Sequence, residues 1–204
     1  MRFPIKSLHR LSGIVIACFL LLHITNHLFA LGGPALHIAV MRFFRHLYRF
    51  PPVEIFLLLC VLFQVISGLW LVFSRGFRRQ PFYVVIQVLS GLYLSFFMIY
   101  HVRAVLTGRY QWKVPTDFYF AAGVANRYPE KLFFIPYYAL SLISVFAHIA
   151  CVHYTKRVEQ MKGVAAPEAF RKKYIRETTG ICIAGAVITF LIMIALTGML
   201  YPVL

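Results

Sequence analysis

Five long apolar runs, separated by short polar stretches, constrain this chain more than any other feature it carries. They fall at about residues 11–31, 53–73, 82–106, 132–154 and 180–203. Each is near the ~20 residues an α-helix needs to cross the hydrocarbon of a bilayer. In lipid the backbone finds no water to bond, so such runs fold as helices that satisfy their own N–H and C=O groups. The sequence therefore predicts an all-α fold, a five-helix transmembrane bundle forming a single domain over residues 1–204. Gly32-Gly33-Pro34, Pro51-Pro52, Pro81, Pro129 and Gly180 punctuate the run boundaries. Composition agrees, because only 13% of residues are charged, against about a quarter in soluble domains. The first run follows MRFPIKSLHR and continues through His23 and His27 without an A-x-A cleavage pattern. It reads as a retained helix and not as a signal peptide.

The net charge is +15, from 21 Lys and Arg against six acids. Such an excess can signal nucleic-acid binding, but here the basic residues sit mainly in the gaps between apolar runs. There they anchor helices to anionic lipid and set topology, so the bilayer is the expected partner and nucleic acid is not. With the N-terminus inside, the inner segments hold 13 of the 21 basic residues, Arg2, Arg75, Arg78, Arg79 and Lys162 among them, and the outer segments hold 8. That bias predicts a cytoplasmic N-terminus and an outer C-terminus, in a bacterial inner membrane. Residues 40–50, VMRFFRHLYRF, put Arg42, Arg45, His46 and Arg49 on one helical face and Phe43, Phe44, Leu47 and Phe50 on the other. This predicts a short helix in the outer interface. The aromatic 107–131 loop is expected to fold back over the outer helix ends. The 155–179 segment is basic and mixed.

Cys18, Cys60, Cys151 and Cys182 are isolated in apolar runs, and no CxxC or CxxCH occurs. Disulfides, zinc and covalent heme attachment are unsupported. The ionisable groups inside the spans are instead histidines: His23 and His27 in the first, His101 in the third, His148 and His153 in the fourth. Intramembrane ionisable residues are functional candidates by default. Neutral imidazole is the usual axial ligand of a non-covalently held heme. At ~1.5 Å per residue, His23 lies roughly 18 Å from the inner end of its span and His101 roughly 28 Å along a span of the same direction. Both fall in the outer half and form a plausible ligand pair. His148 lies in the inner half. The polar residue on the second span is Gln64, roughly 16 Å deep, and an amide oxygen is a weak donor to iron. His27 reads as an interface marker and His153 as a headgroup contact.

At these residues the chain resembles the five-helix cytochrome b membrane anchor of succinate dehydrogenase and fumarate reductase. The stretches that carry the resemblance are LHRLSGIVIACFLLLHITNHLFA, LLLCVLFQVISGLWLVF, QVLSGLYLSFFMIYHVRAVL and FAHIACVHY, spread over most of residues 8–154. The resemblance implies one heme ligand on each of the first four helices: His23 with His101 for the distal heme b, and His148 for the proximal one. Gln64 stands where the family has the second helix's histidine, which leaves the second heme without a partner ligand and marks a divergent member. The opening Ser7-Leu8-His9-Arg10-Leu11-Ser12-Gly13 is similar to the HRxSG start of quinone-binding anchors, which implies Ser7 and Arg10 near a quinone headgroup.

The resulting expectation is a b-type cytochrome subunit that carries electrons between a partner dehydrogenase or reductase and membrane quinone. The chain has no GxGxxG fingerprint and no cluster cysteines, so flavoprotein and iron–sulfur subunits would hold the catalytic chemistry. The alternative is a heme-free anchor, assembly factor or small-molecule-binding protein on the same scaffold.

Overall fold

The computed structural model describes residues 5–75, 80–161 and 168–203. Arg2, Arg78, Arg79 and Lys162, which enter the charge count above, lie outside the described residues. Among those described there is no strand. In chain order the helices are α1 (Ile5–Leu28, extended by a 3-10 turn at Phe29–Gly32), α2 (Pro34–Tyr48), α3 (Pro51–Arg75), α4 (Phe82–Tyr110), α5 (Phe118–Asn126), α6 (Lys131–Gln160) and α7 (Glu168–Leu196).

The helices α1, α3, α4, α6 and α7 are long and apolar enough to cross a membrane. Large apolar side chains, among them Leu21, Leu59, Ile66, Phe73 and Phe190, point outward from them. In water such a surface would aggregate; in lipid it is the solvated face. The chain is an integral membrane protein. The starts of α1, α4 and α7 and the ends of α3 and α6 share one side, termed the near side. The far side carries α2, α5 and the residues after α7.

Polar contacts close each end. On the near side Lys6 pairs with Glu159 at 3.6 Å, and His153 Nε2 meets Glu177 Oε2 at 2.9 Å. His153 is therefore held by α7 and is no headgroup contact. On the far side Arg109 pairs with Glu54.

Four spans match their expected positions to within a few residues. The fifth does not: 180–203 becomes Glu168–Leu196. The charged start EAFRKKYIRETT continues the helix out of the bilayer, and Gly180 sits inside it with open space around its α-carbon. One interior glycine costs a helix only ~1 kcal/mol. The far end stops early because Gly198 turns the chain at φ +71°. Asn126 then donates to the carbonyl of Leu196 at 2.8 Å, satisfying a helix-terminal acceptor.

The interfacial helix is longer than expected and rotated. Pro34 opens α2 after Gly33, where the missing N–H costs nothing. Its inward face is His37, Met41 and Arg45, at i, i+4 spacing, with Arg42, Phe43, His46 and Leu47 exposed. The 107–131 loop does cover the far ends. Asp117 caps α5 by accepting from the Tyr119 amide at 3.0 Å, and Phe118, Ala122 and Ala125 join Ala30, Ala195 and Leu196 in a buried apolar cluster. Tyr201 ties this core shut by donating to the Ala30 carbonyl at 2.5 Å.

Within the bilayer the packing is uneven. The helices α4, α6 and α7 lie against one another in series, and α1 lies along α3. Among the described residues α1 makes no backbone approach to α4 or α6. Side chains alone reach across that interval.

Candidate cofactor site

The side chains that reach across on the far side are imidazoles. His23 of α1 and His101 of α4 come within 6.1 Å, ring centre to ring centre, at an interplanar angle of 69°. Phe19 stacks on His23 at 5.5 Å and Phe97 on His101 at 5.0 Å, which fixes both rings from their outer sides. His27, one turn beyond His23, has its ring 4.7 Å from His23 and 5.3 Å from His37. It is a bridge inside the cluster and not an interface marker. Among the described residues the rings of His23, His27 and His101 make no hydrogen bond. Three imidazoles inside a bilayer without hydrogen-bond partners are a costly arrangement for a bundle that binds nothing.

His37, on α2, closes the cluster. It is 2% exposed, and its Nε2 accepts from the Asn26 amide at 3.1 Å, so its proton sits on Nδ1. That nitrogen is buried with no partner among the described residues, as is Asn26 Oδ1. Burial, and then the nearby Arg45, pull the His37 pKa down to about 4, against a smaller opposing pull from Asp117. His37 is thus neutral at pH 7.

Two guanidiniums sit beside this cluster. Arg45 donates to the Thr116 carbonyl at 2.7 Å, and Arg49 donates to Thr116 Oγ1 at 2.9 Å. Neither pairs with a carboxylate among the described residues. The Nε of Arg45 is buried without a partner, and burial beside Arg45 lowers the Arg49 pKa from its ordinary value. Arg45 also lies within electrostatic range of His23 and His37. Two half-buried cations held by neutral oxygens leave room for an anionic group at the far-side rim.

The near-side half is built differently. Gln64 does not face His148. Its amide nitrogen donates to the His9 carbonyl and, at 2.9 Å, to Ser12 Oγ, binding α3 to α1. His148 Nδ1 donates to the Gln87 carbonyl at 2.9 Å, with Ser90 Oγ 3.3 Å away. His9 turns inward, with Nδ1 2.7 Å from Ser67 Oγ. Ser7 and Arg10 are exposed, on the side of α1 turned from this network.

The sequence pairs His23 with His101, and the fold brings the two together. It does not bring Gln64 to His148. Sequence reasoning missed His37, whose i, i+4 relation to Met41 and Arg45 marks the inward face of α2. The Ser-Gly step it met at Ser12-Gly13 recurs as Ser67-Gly68 and Ser90-Gly91 on α3 and α4, and a polar side chain lies against each of the three glycines, a recurrence the sequence reading did not connect. Searches against protein-family models, curated proteins and solved structures find no match to this chain.

Proposed function

We propose that the protein is a b-type cytochrome subunit that carries electrons between a partner oxidoreductase and membrane quinone. The separation of His23 and His101 carries this reading. Two imidazoles that share one iron through ~2.0 Å metal–nitrogen bonds have ring centres roughly 6 Å apart, and these lie at 6.1 Å. They come from helices whose backbones do not approach, and neither ring is committed to a hydrogen bond among the described residues. Heme b also carries two propionates. Arg45 and Arg49, half-buried and without an acid of their own, suit such carboxylates.

Bound between these residues, heme supplies reversible one-electron transfer. The chain's own part is to hold and insulate it. Phe19 and Phe97 fix the imidazole planes, the α2–α5 cover excludes water, and the two guanidiniums favour the reduced state by offsetting negative charge. The basic bias favours a cytoplasmic near side, and the family resemblance suits a bacterial inner membrane. Iron–sulfur and flavoprotein partners would supply or receive the electrons, and Ser7 and Arg10, exposed on the near side, suit a quinone headgroup.

One observation favours a heme-free anchor instead: the position of a second-span ligand is held by Gln64, whose amide nitrogen is consumed by α1. A single experiment separates the readings. The full chain, purified in detergent from a heme-replete host, should show a sharp Soret band and a reduced α-band near one or two hemes per chain. His23→Ala and His101→Ala should each lose the far-side chromophore. A folded, colourless wild-type preparation ends the cytochrome reading and leaves the anchor.

A further inference from the structure

We propose that α4 carries a seat for one anionic phospholipid of the far leaflet, with the lipid phosphate held on Arg103. The seat lies outside the imidazole interval and stands whether or not that interval holds heme.

Arg103 follows His101 by two residues, ~200° around the helix. It therefore leaves nearly the opposite side of α4 from the imidazole pair, and it is exposed. With Thr107 and Gln111 it lines a surface groove of about 470 Å³, over an apolar floor of Ile99, Val102 and Leu106. Arg103, Thr107 and Gln111 stand at i, i+4 and i+8, so they form one polar row along the helix.

Depth matches that row to a headgroup. The helix α4 runs from the near side to the far side, and Tyr110 and Trp112 are exposed at its far end. Exposed Tyr and Trp collect at the level of lipid headgroups. Arg103 lies seven positions short of Tyr110, ~10 Å deeper along the axis. A long basic side chain at that depth lays its apolar stem on the helix and carries its charge up toward the interface. The guanidinium is thereby brought along the groove toward Thr107 and Gln111.

Charge names the occupant. Arg109 pairs with Glu54, and Arg45 and Arg49 donate to Thr116. Arg103 makes no ion pair or hydrogen bond among the described residues, and neither do the side chains of Thr107 and Gln111. An unpaired cation on a lipid-facing surface is costly. The acceptor within its reach is a phosphate of the far leaflet, which a planar guanidinium can grip through two parallel N–H donors. Thr107 and Gln111 offer neutral donors to the ester and glycerol oxygens of the same lipid, and the apolar floor takes an acyl chain. Lys113, exposed two residues past Gln111, adds a second cation that has no acid partner among the described residues. A zwitterionic headgroup would bring its own cation to this rim. An anionic one brings only the charge that the rim lacks.

The test is photolabelling of the full chain in phosphatidylcholine vesicles, with adducts mapped by mass spectrometry. The probes are phosphatidylglycerol and phosphatidylcholine, each with a diazirine in one acyl chain and each at the same small fraction. Phosphatidylglycerol should label residues 99–111 about fivefold more than phosphatidylcholine, the pull of one surface cation on anionic lipid. The lipid-facing side of α3, at Leu59, Leu62 and Ile66, should take both probes equally. Arg103→Gln should bring residues 99–111 to parity. Thr107→Val with Gln111→Leu keeps the cation and should lower the preference, which covers an Arg103→Gln that fails to fold. Parity in wild type overturns the proposal and leaves this face to an acidic segment of a protein partner. An equal preference on α4 and α3 is bulk attraction to a chain of net charge +15, and overturns it too. So does a preference that a folded variant retains in full.

Discussion

The seam between α6 and α7 and the interval between α1 and the α4–α6 pair lie in the same bundle and are built on opposite principles. At the seam Gly185 lets α7 settle onto Phe146 so closely that an added Cβ would collide with that side chain. Small residues at helix contacts are how membrane helices gain dispersion energy without a hydrophobic driving force. Across the interval the backbones stay apart and histidines fill the distance. Helices that could pack closely and do not are being held open, and the groups that span the opening are imidazoles, which on the cytochrome reading would ligate a metal. On the cytochrome reading, the contrast puts binding in the interval and stability at the seam.

The largest expected effect tests the stability half of that contrast. Gly185→Leu should force α6 and α7 apart and lower the unfolding temperature in detergent, at a cost of about 1–3 kcal/mol for overpacking. Its folded fraction should keep the chromophore ratio of wild type. If the substitution instead removes a chromophore selectively, the seam and the interval are one functional unit and the comparison breaks.

Next in size is the far-side rim. Charge-assisted hydrogen bonds contribute ~1.5–3 kcal/mol each, so Arg45→Ala with Arg49→Ala should weaken far-side heme retention on the order of tenfold or more. It should also lower the far-side midpoint potential, because two positive charges that favour the electron are gone. Dialysis against apomyoglobin and a redox titration read the two effects. An unchanged far-side potential would mean that the guanidiniums face Thr116 alone.

These two regions were unequally legible in the sequence. Membrane spans announce themselves by composition, because lipid leaves a chain no alternative to long apolar helices. The pairing of His23 with His101 was visible because depth is nearly linear in residue number along a straight helix. The near-side half was hidden for a physical reason. His9 lies among flanking basic residues, where the default reading is an anchor to headgroups, and its inward turn depends on Ser67, 58 positions away. Rotation is equally invisible: the arginines of α2 look like a polar face turned to water, yet Arg45 and Arg49 meet Thr116 in the loop before α5. The fifth span was misplaced because a charged helix leaving the bilayer has no hydropathy signal to mark its start.

The far-side cover should also be acid-sensitive. His37 titrates at about 4 in the fold and near 6.5 when exposed. Its folded form favours the neutral ring, so its contribution to stability is complete above about pH 6.5 and is lost as pH falls toward 4. His37→Gln should flatten the fall in unfolding temperature over that window relative to wild type. Superimposable pH profiles would show that the α2 cover opens without protonating His37.

The smallest effect separates the two halves of the interval from each other. Ser67→Ala removes the acceptor of the His9 Nδ1–H and leaves that group facing an alanine methyl. A lost neutral hydrogen bond of this kind costs ~1 kcal/mol, so the unfolding temperature should drop by a few degrees at most. The informative quantity is whether the far-side chromophore moves with it. Ser67→Thr, which keeps the hydroxyl, should restore the unfolding temperature. His23 and His101 are held by Phe19 and Phe97 and owe nothing to Ser67, so the far-side signal should stay in place. Movement of that signal would mean that α1 transmits the change along its length, and the two ends would then have to be treated as one coupled unit.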